Sequence, residues 1–271
     1  MRRRIVYIGL LLIVPLFYCH AQETTSGYWE FQAGGGRIEY MSNPALPSGL
    51  PGSGFGFSYR SGRPLRERSD RFREFTVQFY KAKLIKHFSN GYSTLPYSHY
   101  ELKGGYNYIC RFTSGIPSLT VDAGLRLSMN VLFGYNSEDY ISHEPYGHWY
   151  ISPEIVLRAA YSYRKFSLAT NLNAPVMGIG FFREYSVYHP LTATPLELFL
   201  FYATPNSAVL ANRLRSLDNS LSVGYKIGES DRFTTGLQLV ISNSITDFLV
   251  HGNREMKNSS LLSLGILIQR K

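Results

Sequence analysis

Cysteine is nearly absent from this chain of 271 residues, which contains only Cys19 and Cys110. Cys19 belongs to an apolar N-terminal segment, and once that segment is removed Cys110 can form neither an internal disulfide nor a cysteine-based metal site. The rest of the chain lacks an apolar run long enough for a membrane-spanning helix. It also lacks a helix rich in Lys and Arg, so the net charge of +9 does not argue for a nucleic-acid partner.

The first 21 residues have the pattern of a secretory signal peptide. Three arginines (residues 2–4) precede an apolar run from Ile5 to about Tyr18, and the small residue Ala21 follows. This run is shorter than the ~20 apolar residues that a spanning helix needs, although an uncleaved anchor helix is the alternative. We therefore predict a signal peptide at 1–21 and a single domain at 22–271.

Aromatic residues are abundant, at 15% of the chain with 21 tyrosines, and apolar residues recur at every second position. In the stretch from Ser118 to Phe133, the odd positions from Leu119 onward are apolar and the even positions are mostly polar. A period of two is typical of a β-strand, and sixteen residues far exceed the usual ~6 of a soluble strand. This length and one apolar face predict a strand that crosses a membrane.

Nine further segments repeat the alternation, at about 29–33, 55–59, 75–84, 100–112, 149–163, 166–176, 221–227, 233–241 and 262–268. In the third of the ten, Phe75, Val77 and Phe79 share a face, whereas Ala82 and Leu84 fall on the other. This change of phase predicts a β-bulge near Tyr80. The stretch from Leu196 to Thr204 is a candidate extra strand, so twelve strands are an alternative to ten.

Connections of alternating length join these strands, and the longest spans about 181–218. Short turns at one end and long loops at the other are typical of a transmembrane barrel. We predict an all-β, up-and-down antiparallel transmembrane barrel of ten strands; a soluble β-sandwich is the alternative. The whole resembles small uncharacterised outer-membrane β-barrel proteins of Gram-negative bacteria. That resemblance implies a bacterial outer-membrane location, periplasmic termini and membrane lipids as partners; it assigns no activity and identifies no protein partner.

Charged residues of both signs occur on the polar faces of the predicted strands: Glu30, Arg60, Lys103, Arg111, Asp122, Arg126, Glu154 and Arg158. Ten strands leave little room inside a barrel beyond the side chains. We therefore predict a charge network in the lumen, formed by Asp122, Arg126, Glu154, Arg158, Lys103 and Arg111, that plugs the barrel. The favoured function is a structural or ligand-binding barrel, and a narrow solute channel is a third hypothesis.

A catalytic hypothesis comes from His87-Phe88-Ser89-Asn90-Gly91 at the end of the third strand. His and Ser two positions apart on a strand share a face, so the imidazole can accept the hydroxyl proton. The motif resembles the His-x-Ser-Asn-Gly element of outer-membrane phospholipase A and the lipid A deacylase barrels. That resemblance implies an esterase acting on phospholipid or lipid A through Ser89, His87 and Glu101, with calcium as cofactor. The spacing of the histidines predicts no metal site otherwise.

Overall fold

A computed structural model describes the chain in nine ranges: 27–42, 46–65, 68–87, 94–116, 118–136, 146–182, 203–210, 213–250 and 253–270. The predicted signal peptide lies outside these residues. So do Ser89 and most of the candidate strand at 196–204.

Twelve strand segments make up the described chain: β1 (Gly27–Ser42), β2 (Leu46–Leu65), β3 (Arg68–His87), β4 (Thr94–Thr113), β5 (Leu119–Asn136), β6 (Tyr146–Tyr163), β7 (Phe166–Pro175), β8 (Met177–Phe182), β9 (Ser207–Leu210), β10 (Leu214–Glu229), β11 (Phe233–Val250) and β12 (Asn253–Arg270). Both β7 and β8 pair with β6, and they are separated only by Val176. In the same way β9 pairs with β8 and β10 pairs with β7. The twelve segments therefore build ten barrel strands, two of which are interrupted.

The ladder of antiparallel pairs closes on itself, because β1 pairs with β12 and β5 pairs with β6. A closed sheet leaves no row of unpaired backbone groups, as a membrane requires. We call the end of the barrel that carries Gly27 and Arg270 the near rim, and the opposite end the far rim. Short turns join the strands at the near rim, at 65–68, 113–119, 163–166 and 229–233. The predicted ten-strand antiparallel barrel is confirmed.

The outer face of the barrel is apolar over most of its height. Leu125 and Leu264, for example, are 63% and 70% exposed, whereas Arg126 and Ser263 beside them are buried. Such a surface is stable against lipid and costly against water. In the described residues no helix is long and apolar enough to cross a membrane.

The predicted bulge near Tyr80 was wrong. The register of β3 runs unbroken through Tyr80, which pairs with Gly56 of β2 and with Glu101 of β4. What changes is the polarity of the two faces, because Ala82 and Leu84 are buried inside the barrel while Lys81 and Lys83 are exposed outside.

The same change of polarity occurs on β1, which is separated from β3 by β2. On β1, Ile38 and Tyr40 are buried inside while Arg37 and Glu39 are exposed outside. The strands β2, β3 and β4 are 20 residues long, about 66 Å at ~3.3 Å per residue, so even when tilted they exceed the ~25 Å apolar band of a membrane barrel. We infer that the barrel extends past the lipid at its far end, where the outer positions of β1 and β3 are charged and the interior contains apolar side chains.

Candidate functional site

The interior of the barrel has three layers that differ in chemistry. The near layer, around Glu74 and Arg158, consists of ion pairs. The middle layer is a polar cavity, and the far layer is a core of apolar side chains.

Glu74 is the centre of the near layer. Arg158 donates to both of its carboxylate oxygens, at 2.5 and 2.6 Å, and Asn107 donates from Nδ2 at 2.6 Å. The hydroxyl of Tyr28 donates to the same carboxylate. A buried carboxylate with this many donors retains its charge without water, because each donor replaces a lost hydration contact.

Further ion pairs extend the near layer across the lumen. Arg60 lies 3.4 Å from Glu30 and 3.9 Å from Glu74. Arg111 donates to both carboxylate oxygens of Asp122 at 2.9 and 3.3 Å, which links β4 to β5. Together these groups form ion pairs inside the lumen close to the near rim.

The charged side chains predicted for the lumen are thus distributed over several groups. Arg158 faces Asp122 in the register of β5 and β6, yet its guanidinium bonds to Glu74 across the barrel. Glu74 was not among the predicted residues, although it alternates with Phe75 and so could have been placed on the polar face. Pairing across the lumen depends on closure of the sheet, which alternation along one strand does not reveal.

Lys103 connects the near layer to the middle layer. Its Nζ lies 3.0 Å from Glu154 and also forms an ion pair with Asp218 of β10. Ser128 donates to Glu154 at 2.5 Å, while the Arg126 guanidinium is farther from this carboxylate, at 3.7 Å. Of these three donors, Arg126 therefore makes the weakest contact with Glu154.

A cavity of about 140 Å³ occupies the middle layer. Hydroxyl and amide groups line much of its wall, including those of Ser58, Gln78, Asn130, Asn171, Ser220 and Ser242. This volume holds on the order of ten water molecules or one small polar molecule, since one water needs roughly 10 to 15 Å³ on the same measure.

Clusters of buried apolar side chains lie on the far-rim side of the cavity. One cluster contains Ile38, Tyr40, Leu50, Ala82, Leu84, Tyr97 and Leu132, and a second contains Tyr150, Val209, Leu214, Phe248 and Val250. Glu255 is buried beside them, where it accepts a hydrogen bond from Tyr40 at 2.5 Å and lies 3.2 Å from His148 Nδ1. We call these two clusters the far layer.

The structure brings together little of the predicted catalytic group. Ser89 lies outside the described residues, and only the backbone of His87 is described, where it pairs with Thr94. Glu101 pairs with Tyr80, seven positions from His87 along β3, which corresponds to about 23 Å. Its carboxylate faces the cavity and binds Lys257, so Glu101 lies far along the barrel from the backbone of His87.

No cluster of three or more His, Cys, Asp or Glu side chains in the described ranges could hold a metal ion. The calcium ion that the phospholipase resemblance implies therefore has no such set of ligands within these residues.

A closed antiparallel barrel with an apolar exterior and a polar interior defines the class of membrane-spanning β-barrel proteins. The structure is similar to that of the outer membrane protease OmpT from Escherichia coli, with a TM-score of 0.51 and 10% sequence identity over 92% of this chain and 99% of that chain. The transport unit of the autotransporter AIDA-I from Escherichia coli is more distant, with a TM-score of 0.42 and 9% identity over 96% of this chain and 95% of that chain. No protein-family model and no curated protein sequence matches the chain. The similarity to OmpT shows the fold alone, which is that of an outer-membrane β-barrel.

Proposed function

We propose that this protein is a non-enzymatic barrel of the bacterial outer membrane whose lumen is plugged, with a structural or ligand-binding role. The observation that carries the proposal is the filling of the lumen on both sides of the middle cavity. Ion pairs around Glu74 fill the near side, and the apolar clusters of the far layer fill the other.

Both layers oppose the passage of solute for physical reasons. The Glu74 carboxylate is buried and its partner Arg158 is largely so, and separating this pair leaves charges without compensation, which costs about 3 to 5 kcal/mol. The far layer is mainly apolar and offers a hydrated solute few polar partners. A ligand-binding role would use the middle cavity, whose hydroxyl and amide groups suit a small polar molecule.

Conductance in planar lipid bilayers tests the plug. We expect the purified barrel to insert without discrete current steps, while Leu84→Ala/Tyr97→Ala, which empties part of the far layer, raises the frequency of transient openings. Phe55→Ala is the matched control, because Phe55 faces outward and its truncation leaves the lumen unchanged. Stable open steps from the unmodified protein, or swelling of its liposomes in small sugars, would favour the narrow channel instead.

The proposed location places the near rim in the periplasm, because a signal peptide and short turns at that rim fit export followed by insertion from the inside. An epitope inserted at 251–252, in the far-rim link between β11 and β12, should bind antibody on intact cells. An epitope at 230–232, in the near-rim turn, should bind only after the membrane is opened. The reverse labelling pattern would show that the barrel has the opposite orientation. Release of the protein from washed membranes without detergent would exclude an outer-membrane location.

A further inference from the structure

A row of polar and basic side chains crosses the outer face of three adjacent strands. Arg37 of β1 pairs with Ser53 of β2, and Ser53 pairs with Lys83 of β3, so the three residues lie side by side. All three are exposed on the outside of the barrel. Lys81, two positions nearer the near rim on β3, is also exposed, and its Nζ lies 5.3 Å from the ring centroid of Tyr100.

This basic row, Arg37, Lys81 and Lys83, lies where the outer surface changes from apolar to polar. On the near-rim side the wall presents Phe55 and Phe57, which are about half exposed. On the far-rim side the barrel interior becomes apolar, as expected of a segment beyond the lipid. The row therefore lies at the depth of the lipid headgroups, directly above the hydrocarbon.

Among the described residues, no carboxylate forms an ion pair with a cation of the basic row. No ion pair in the part of the chain that the structure describes includes Arg37, Lys81 or Lys83. The acidic residue on the same face of β1, Glu39, is two positions closer to the far rim and forms no ion pair with Arg37. Arg254 on β12 is different, because it donates to both oxygens of Asp247 at 2.9 and 3.0 Å.

We propose that the basic row binds the phosphate group of a phosphorylated lipid in the surrounding leaflet. Adjacent strands are about 4.8 Å apart, so Arg37 and Lys83 lie roughly 10 Å apart at the backbone, a gap that their long side chains span. The guanidinium of Arg37 offers a planar fork for two phosphate oxygens, the lysines offer point charges, and the Ser53 hydroxyl offers a further donor.

A lipid fits this surface better than a soluble phosphate compound does. Phe55 and Phe57 on β2 continue the same face toward the near rim, where the acyl chains of a bound lipid would pack against them. A soluble phosphate would gain nothing from these rings. The proposal concerns the outer wall alone and holds whether or not the lumen is plugged.

Titration of fluorescent lipid A, which carries phosphate, into the barrel in neutral detergent tests the proposal. Each cation near a charged headgroup contributes about fivefold in affinity, so Arg37→Ala/Lys81→Ala/Lys83→Ala should weaken binding on the order of 100-fold. Arg254→Ala is the matched control. It also removes an exposed arginine, but one that Asp247 already neutralises, so it should bind lipid A like the unmodified protein.

Measurements on the unmodified protein test the proposal even if the triple variant folds poorly. Binding by the unmodified protein should weaken with added salt and should be lost for lipid A stripped of phosphate. Excess inorganic phosphate should compete poorly, because it lacks acyl chains. Equal affinity of the triple variant and the Arg254→Ala control, or equal affinity for the stripped lipid, would overturn the proposal.

Discussion

Single side chains in this lumen differ widely in how completely they are paired. Glu74 accepts from Arg158, Asn107 and Tyr28, whereas Arg126 is buried and its Nε and one terminal nitrogen have no hydrogen-bond acceptor among the residues that the structure describes. A buried charge with good partners is costly to disrupt, while one with poor partners contributes little. We therefore expect truncation of Arg158 and truncation of Arg126 to change the stability of the barrel by different amounts.

Arg158→Ala should destabilise the barrel by about 3 to 5 kcal/mol, because it removes both guanidinium bonds to a buried carboxylate. Arg126→Ala should cost clearly less, since Glu154 keeps its contacts with Lys103 and Ser128. Urea titration in lipid vesicles measures the free energy of unfolding of both variants. Equal shifts of the two midpoints would contradict the ranking and would indicate that water replaces the missing partners.

Adjacent glycines on β4 provide a second comparison at this scale. A Cβ at Gly105 would lie 2.1 Å from Arg126 Nε, whereas a Cβ at Gly104 would meet nothing within 4 Å. Gly105→Ala should therefore displace the flexible Arg126 guanidinium and cost about 1 kcal/mol, the low end for overpacking, and Gly104→Ala should be nearly neutral. Combining Gly105→Ala with Arg126→Ala should relieve the overpacking. If the double variant loses as much stability in the same urea titration as the two single variants together, the clash is absent.

Each strand has one face toward the outside of the barrel and one toward the lumen. Substitutions at successive positions therefore test the two faces separately. On β10, Leu221 is 46% exposed on the outer face, and Ser220 lines the cavity. Leu221→Arg should cost up to about 2 to 4 kcal/mol because it places a charge against lipid, whereas Ser220→Arg enters a polar space. Folding yield in lipid vesicles checks the difference. A larger loss for Ser220→Arg would reverse the assigned faces.

Several strands are longer than the apolar alternation in their sequence predicts. The apolar pattern of β1 is clear only at 29–33, yet the strand runs from Gly27 to Ser42. Beyond the lipid the outward positions become Arg37 and Glu39, so the pattern that identifies a membrane strand ends before the strand does. The same effect on β3 produced the mistaken bulge near Tyr80.

Closure is a property of the whole molecule, since the first and last strands pair along their full length from Gly27 with Arg270 to Ser42 with Glu255.

Deleting residues 253–271 should abolish folding in lipid vesicles, because it exposes one edge of β1 and one of β11, and each unpaired backbone group in lipid costs several kcal/mol. Loss of the heat-dependent gel shift of folded barrels measures this. Adding the deleted strand back as a separate peptide is the control, and should restore some folded protein. A normal gel shift without the strand would show that closure is dispensable.

The sequence by itself determined the local features of this protein. Alternation of period two identified ten strands and placed Leu125 outside and Arg126 inside, because neighbouring side chains on a strand always point to opposite faces. The tertiary structure alone decided which charges meet, as Arg158 and Glu74 do across 84 positions of chain. It also decided where the polarity of the two faces reverses, which one strand cannot reveal, because the polarity of each face depends on the surroundings of the closed barrel at that height.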